Sequence, residues 1–103
     1  MDAFEIGQAV QRQILEWRLA GESFGGREPE SYLVTPFRQR VLTNSIGPCE
    51  VWVVAELPEV EMSVVYADSS EQSRCPFGLG VTQKDGVGVF GYYGDFIDAW
   101  LAM

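Results

Sequence analysis

The chain has no histidine among its 103 residues. That excludes Ser-His-Asp and Cys-His catalysis, histidine metal sites and a histidine general base. It leaves carboxylate, tyrosine, cysteine and lysine chemistry open. Lysine is almost missing too: Lys84 is the single one, and 15 acids against 7 bases give a net charge of −8. Nucleic-acid affinity comes mainly from Lys and Arg neutralising phosphates, so this balance argues against such a ligand unless Arg12, Arg18, Arg38 and Arg40 share a face. Anionic membrane surfaces would repel the chain, and no apolar run approaches the roughly 20 residues that span a bilayer. Cysteine is limited to Cys49 and Cys75, too few and too far apart for a disulfide framework or a zinc site, so two free thiols are expected. The N-terminal residues Met1 to Glu5 carry acids where a signal peptide would be basic, which makes a cytoplasmic location the expectation.

What is present reads as one globular domain over residues 1–103, with 47% apolar and 21% charged residues ruling out a disordered composition. Asp2 to Ala20 has helical periodicity. Ala3, Ile6, Val10, Ile14 and Trp17 form one stripe, and Phe4, Leu15 and Leu19 form a second apolar row beside it. Two rows predict a broad buried face lying on a sheet. Gly21 is placed to end the helix. Gly21 to Ser31 is a polar loop. Tyr32 to Leu42 reads as a strand interrupted by Pro36, which suits an edge or a bulge. Thr43 to Pro48 reads as a turn.

Glu50 to Leu57 is the clearest strand. Strict alternation would put Val51, Val53, Ala55 and Leu57 on one face and Glu50, Trp52, Val54 and Glu56 on the other. Met62 to Ala67 follows after a short link, then a polar loop to Pro76, then strands at Phe77 to Thr82 and Val87 to Tyr92. Asp85-Gly86 between the last two suits a type I′ hairpin turn. Asp95 is placed to cap a terminal helix carrying Phe96, Ile97, Trp100 and Leu101. The whole predicts an α+β fold. A four- to five-stranded, mainly antiparallel sheet has an N-terminal and a C-terminal helix packed on one face, and its other face is left to a ligand or a second subunit.

The run Gly86-Val87-Gly88-Val89-Phe90-Gly91 matches G-x-G-x-x-G in letters only. Phosphate binding needs the glycines to open a helix after a strand, whereas Val87, Val89 and Phe90 read as strand. No cofactor and no metal are expected. The residues best suited to binding are Trp52, Glu50, Glu56, Tyr66 and Tyr92: a ring face and a carboxylate both attract a positive group. Cys75 beside Arg74 is conceivable as a reactive thiol but has no base partner. These features point to a non-catalytic interaction protein, self-associating as a homodimer or engaging a basic protein, for example in a toxin-neutralising role; the size, acidity and layout are those of small proteins found on mobile gene cassettes or as toxin-neutralising partners. The alternative is a binding domain for an apolar or small cationic ligand.

Overall fold

The computed structural model describes residues 2–42, 50–68 and 74–103. The predicted Thr43–Pro48 turn, Cys49 and most of the loop after β3 lie outside them. The order is α1 (Ala3–Leu19), β1 (Leu33–Arg40), β2 (Glu50–Leu57), β3 (Met62–Tyr66), β4 (Phe77–Gln83), β5 (Gly86–Tyr93) and α2 (Phe96–Leu101). The strands form one antiparallel meander in sequence order. Among the described residues no helix is long and apolar enough to cross a membrane.

Local chemistry explains where α1 begins and ends. Asp2 accepts from the Glu5 N–H at 2.9 Å while the Glu5 carboxylate accepts from the Asp2 N–H at 3.1 Å, a reciprocal capping box. At the other end Gly21 takes φ +84°, and the Gly21 and Glu22 N–H groups bond back to the Arg18 and Trp17 carbonyls. Helix α2 is only six residues long and is tied down at its start. Asp95 caps the Asp98 N–H at 2.8 Å, and the Phe96 N–H donates to Gln13 Oε1 of α1 at 2.7 Å.

Both helices cover one face of the sheet. Ile6, Val10 and Ile14 from α1 and Phe96, Ile97, Ala99 and Trp100 from α2 are buried against Val54, Ala55, Leu57, Val64, Phe77 and Leu79. Strict alternation fails in β2, where Val54 is an extra residue relative to β3, because Val53 pairs with Val65 and Ala55 with Val64. This bulge puts Val54 and Ala55 both on the helix side and reverses the phase beyond them. Val51 and Val53 therefore face away from the helices, whereas Ala55 and Leu57 face them. Two further bulges lie at Pro36 in β1, as its proline suggested, and at Phe90 in β5.

The face away from the helices is not open. Val41, Val51, Val53, Val65, Ala67 and Val87 form a second core there, all at most 8% exposed. Among the described residues no helix covers them; the sheet curls until its two edges meet. Just beyond β1, Val41 pairs parallel with Val87 of β5, and the Leu42 N–H donates to the Val87 carbonyl at 3.0 Å. Gly86 makes this approach possible, since a Cβ there would stand 2.4 Å from the Arg40 carbonyl oxygen. The expected type I′ turn is not what requires that glycine. Gln83 pairs with Gly86, so Lys84 and Asp85 form the two-residue loop, and neither has the positive φ of a type I′ turn.

Candidate functional site

The sheet register decides which of the sequence-predicted binding residues meet. Arg38 of β1 stands across from Trp52 of β2, and Trp52 across from Tyr66 of β3. Trp52 and Tyr66 are half-buried and pack against the helix-side core, so Trp52 is not on the face away from the helices, where alternation suggested it.

The cation that this ring and its neighbouring carboxylates attract is the protein's own Arg38. Its guanidinium lies 5.3 Å from the centre of the Trp52 ring. Its Nε and Nη2 donate to Glu50 Oε1 at 3.0 and 2.9 Å, and Nη1 is 3.6 Å from Asp68 Oδ2. The same Asp68 oxygen accepts from the Trp52 indole N–H at 3.1 Å. One base and two acids leave the group with an excess of one negative charge. Tyr66 has its edge on Phe77, with ring centres 5.1 Å apart. Burial, and secondarily the Asp68 charge, push its hydroxyl pKa above the ordinary tyrosine value.

Glu56 and Tyr92 do not join this group. The β2 bulge places Glu56 between Ala55 and Leu57, so it points to the face opposite Trp52, where its strand partner is Ser63. Glu50 and Glu56, expected to share a face, are on different ones. Tyr92 lies across from Gly78 and packs on the second core, and burial raises its pKa. Arg38 and Asp68 are the members that sequence reading left out. Arg38 has no visible signal without the register, and in letters Asp68 is only one polar residue of the loop after β3.

A second feature is apolar. Of the two α1 rows, only the first is buried. Phe4, Leu15 and Leu19 are 70%, 57% and 77% exposed, so the second row faces solvent instead of widening the contact with the sheet. At its N-terminal end this row borders an open groove of about 600 Å³ between α1 and β1, lined by Phe4, Gly7, Val10, Leu33 and Pro36 among others. Toward the other end Gln8, Gln11, Arg12 and Leu15 line a shallower depression that continues the strip along the helix.

Of the other cations, Arg18 is held by Glu28 and Glu30, the latter at 2.9 Å, and lies over the Phe24 ring. Arg18 and Arg38 therefore both stand paired with acids. Cys75 is exposed. Compared with protein-family models, with curated proteins and with solved structures, the chain matches none.

Proposed function

We propose that this is a non-catalytic interaction protein and that its contact surface is the outer face of α1 together with the α1–β1 groove. The observation that carries the reading is the exposure of Phe4, Leu15 and Leu19 as one row on a single helix. Scattered exposed apolar residues are ordinary, whereas several large ones aligned along one helix face beside a groove suit a contact surface, here with Gln8 and Gln11 between Phe4 and the Leu15–Leu19 end. Here Glu5, Arg12 and Glu16 supply the polar border on one side. The Trp52 group has a structural use instead: it locks β1, β2 and the start of the loop after β3 to one another. A net charge of −8 would steer a basic protein toward the strip, as a toxin-neutralising role would require, and would oppose but not prevent self-association.

The test is side-chain footprinting of the dilute purified chain and of the chain in an extract of its own cells. Protection of Phe4, Leu15 and Leu19 in the extract, lost in the variant L15E/L19E at unchanged helix content, is the expected result. Unchanged labelling on α1, with protection at Trp52 or Tyr66 instead, would sink the reading.

A second reading, a small apolar ligand in the same groove, draws support from its volume of about 600 Å³, which lies within the usual range of ligand sites. An environment-sensitive apolar dye that binds the wild type and is displaced by filling the groove through Gly7→Leu would favour it.

A further inference from the structure

We infer that the α1–β1 groove binds a small uncharged molecule with an apolar body and one hydrogen-bonding end, such as a carboxamide or a hydroxyl. The inference rests on the second reading above, a ligand in this groove, and names the class of that ligand. The groove is built by two departures from regular strand pairing at one place. In β1, Leu33 pairs with Ala55 and Phe37 with Val53, so Val34, Thr35 and Pro36 stand opposite Val54 alone. Val54 is itself the extra residue of the β2–β3 bulge. The surplus residues bow β1 away from β2 beside α1, and the hollow they leave reaches down to the core residues Val10 and Val54, 1% and 2% exposed. Bulges are over-represented next to functional sites because they re-aim the chain in this way.

Gly7 points to the same place. It is the single glycine of α1, and a glycine inside a helix destabilises it relative to alanine. The packing does not call for it. A Cβ there would meet Pro36 Cδ at 3.7 Å and Cγ at 3.8 Å, which are ordinary contact distances. Gly78, Gly80 and Gly86 differ, since a Cβ on them would stand 2.9, 2.8 and 2.4 Å from a neighbour. Gly7 therefore weakens its helix without serving the fold, and what it provides is room in the groove wall.

The lining sets the chemistry of the occupant. Among the described residues no Asp, Glu, Lys or Arg lines the groove, although 21% of the chain is charged. An ion resting on Val10 and Val54 would lose water and gain no opposite charge, which is costly. The acids nearest along the helix, Asp2 and Glu5, are engaged in capping each other's N–H, and Glu50 and Asp68 hold Arg38. The polar side chains that do line the groove are Gln8, Gln11 and Thr35, all exposed at its rim, and each can both donate and accept. A neutral polar head pairs with that rim while its apolar body lies on the valines.

Amide-resolved NMR titration of the isotope-labelled full chain tests this with three probes that share one alkyl chain: octanamide, octanoate and octylamine. High salt removes the advantage that a net charge of −8 would give the amine. Octanamide should shift the backbone amides of Gly7, Gln11, Thr35 and Val54 with a Kd of about 1 mM or lower, at least tenfold tighter than either charged probe. Gly7→Leu should abolish those shifts at unchanged circular dichroism, while Gly7→Ala should melt above the wild type. Gln11→Glu should turn the preference toward octylamine. Should Gly7→Leu fail to fold, the wild-type shift map and the ranking of the three probes still decide. Octylamine or octanoate binding as tightly as octanamide would overturn the uncharged class and leave a ligand in the groove standing. No shift at Gly7 and Val54 with any probe at several millimolar, or shifts confined to another part of the chain, would overturn the ligand site itself and leave the groove to a side chain of a protein partner.

Discussion

The two faces of the sheet are buried by different means, and their side chains differ accordingly. On the helix side the sheet and the helices are separate layers, and the gap is filled by large groups: Phe77, Phe96 and Trp100 interlock, with Phe96 stacked on Trp100 at 5.8 Å and edge-on to Phe77 at 6.2 Å. On the other side the sheet covers itself, and the buried set is valine and alanine. Glycine finishes the fit there. A Cβ on Gly78 would come within 2.9 Å of Val65 Cγ2, and one on Gly80 within 2.8 Å of Val87 Cγ2. A layer interface fails when volume is removed, and a closed curl fails when volume is added.

Phe96→Ala tests the first half of that contrast and should have the largest effect. Phe96 is fully buried, touches both Phe77 and Trp100, and starts a helix too short to persist by itself. Its loss should cost about 3–5 kcal/mol, read as a fall in the denaturant midpoint. A cost below about 1 kcal/mol would mean that the helix layer is not where stability resides.

Gly86→Ala tests the second half by adding a single methyl group. With the Arg40 carbonyl oxygen 2.4 Å from the new Cβ, the β1–β5 closure must open, because the obstacle is backbone and not the end of a flexible side chain. A loss of about 1–3 kcal/mol is expected, with hydrogen exchange accelerated at the Leu42 amide that bonds to Val87. Phe96→Ala should leave that amide comparatively protected. If both variants loosen the same amides equally, the two cores are one cooperative unit and the contrast is structural only.

Tyr66 and Tyr92 place one titratable ring on each face, and burial raises the pKa of both above the ordinary 10.0. A raised folded-state value means that the neutral phenol is favoured by folding. The contribution is full below pH 10 and is lost as pH rises through the folded-state values. The melting temperature should therefore fall above pH 10, and less steeply in Tyr66→Phe and Tyr92→Phe. On the acid side Glu59 has a lowered pKa, chiefly because the Tyr32 hydroxyl donates to it. Its contribution is full above the ordinary 4.5 and is lost as pH falls from there through the lowered folded-state value.

Local signals in the sequence carried most of the architecture. The Ile6-Val10-Ile14 stripe, Gly21 and Asp95 mark helices and their ends because each acts within one or two turns of chain. Long-range facts did not show. The β1–β5 contact joins Val41 to Val87, and nothing near either residue announces it. The Val54 bulge looks like perfect alternation in letters, and that single extra residue moved Glu56 away from Glu50 and Trp52 to the face away from the helices. Gly86 was assigned to a turn because Asp-Gly favours one, when its lack of a Cβ serves the approach of a strand 46 residues earlier, from Arg40. The second α1 row was legible as apolar, but apolar residues are not always buried, and its exposure became the candidate surface.

The smallest effect concerns the link between β2 and β3, which belongs to neither core. Pro58–Val60 forms one 3-10 turn, and Glu61 then takes φ 55°, the only positive φ at a described non-glycine residue. Its conformation is held because its carbonyl accepts from the Thr82 N–H at 2.8 Å, fixing the hairpin against β4. A left-handed conformation costs an L-residue about 1–2 kcal/mol, while glycine removes that strain and adds freedom to the unfolded chain. Glu61→Gly should therefore stabilise by a few tenths of a kcal/mol to about 1 kcal/mol, and Glu61→Asn by less. Because the link sits outside both buried sets, this gain should add to the losses from Phe96→Ala and from Gly86→Ala alike. Non-additivity with only one of them would tie the β2–β3 link to that face and shift the boundary between the two cores.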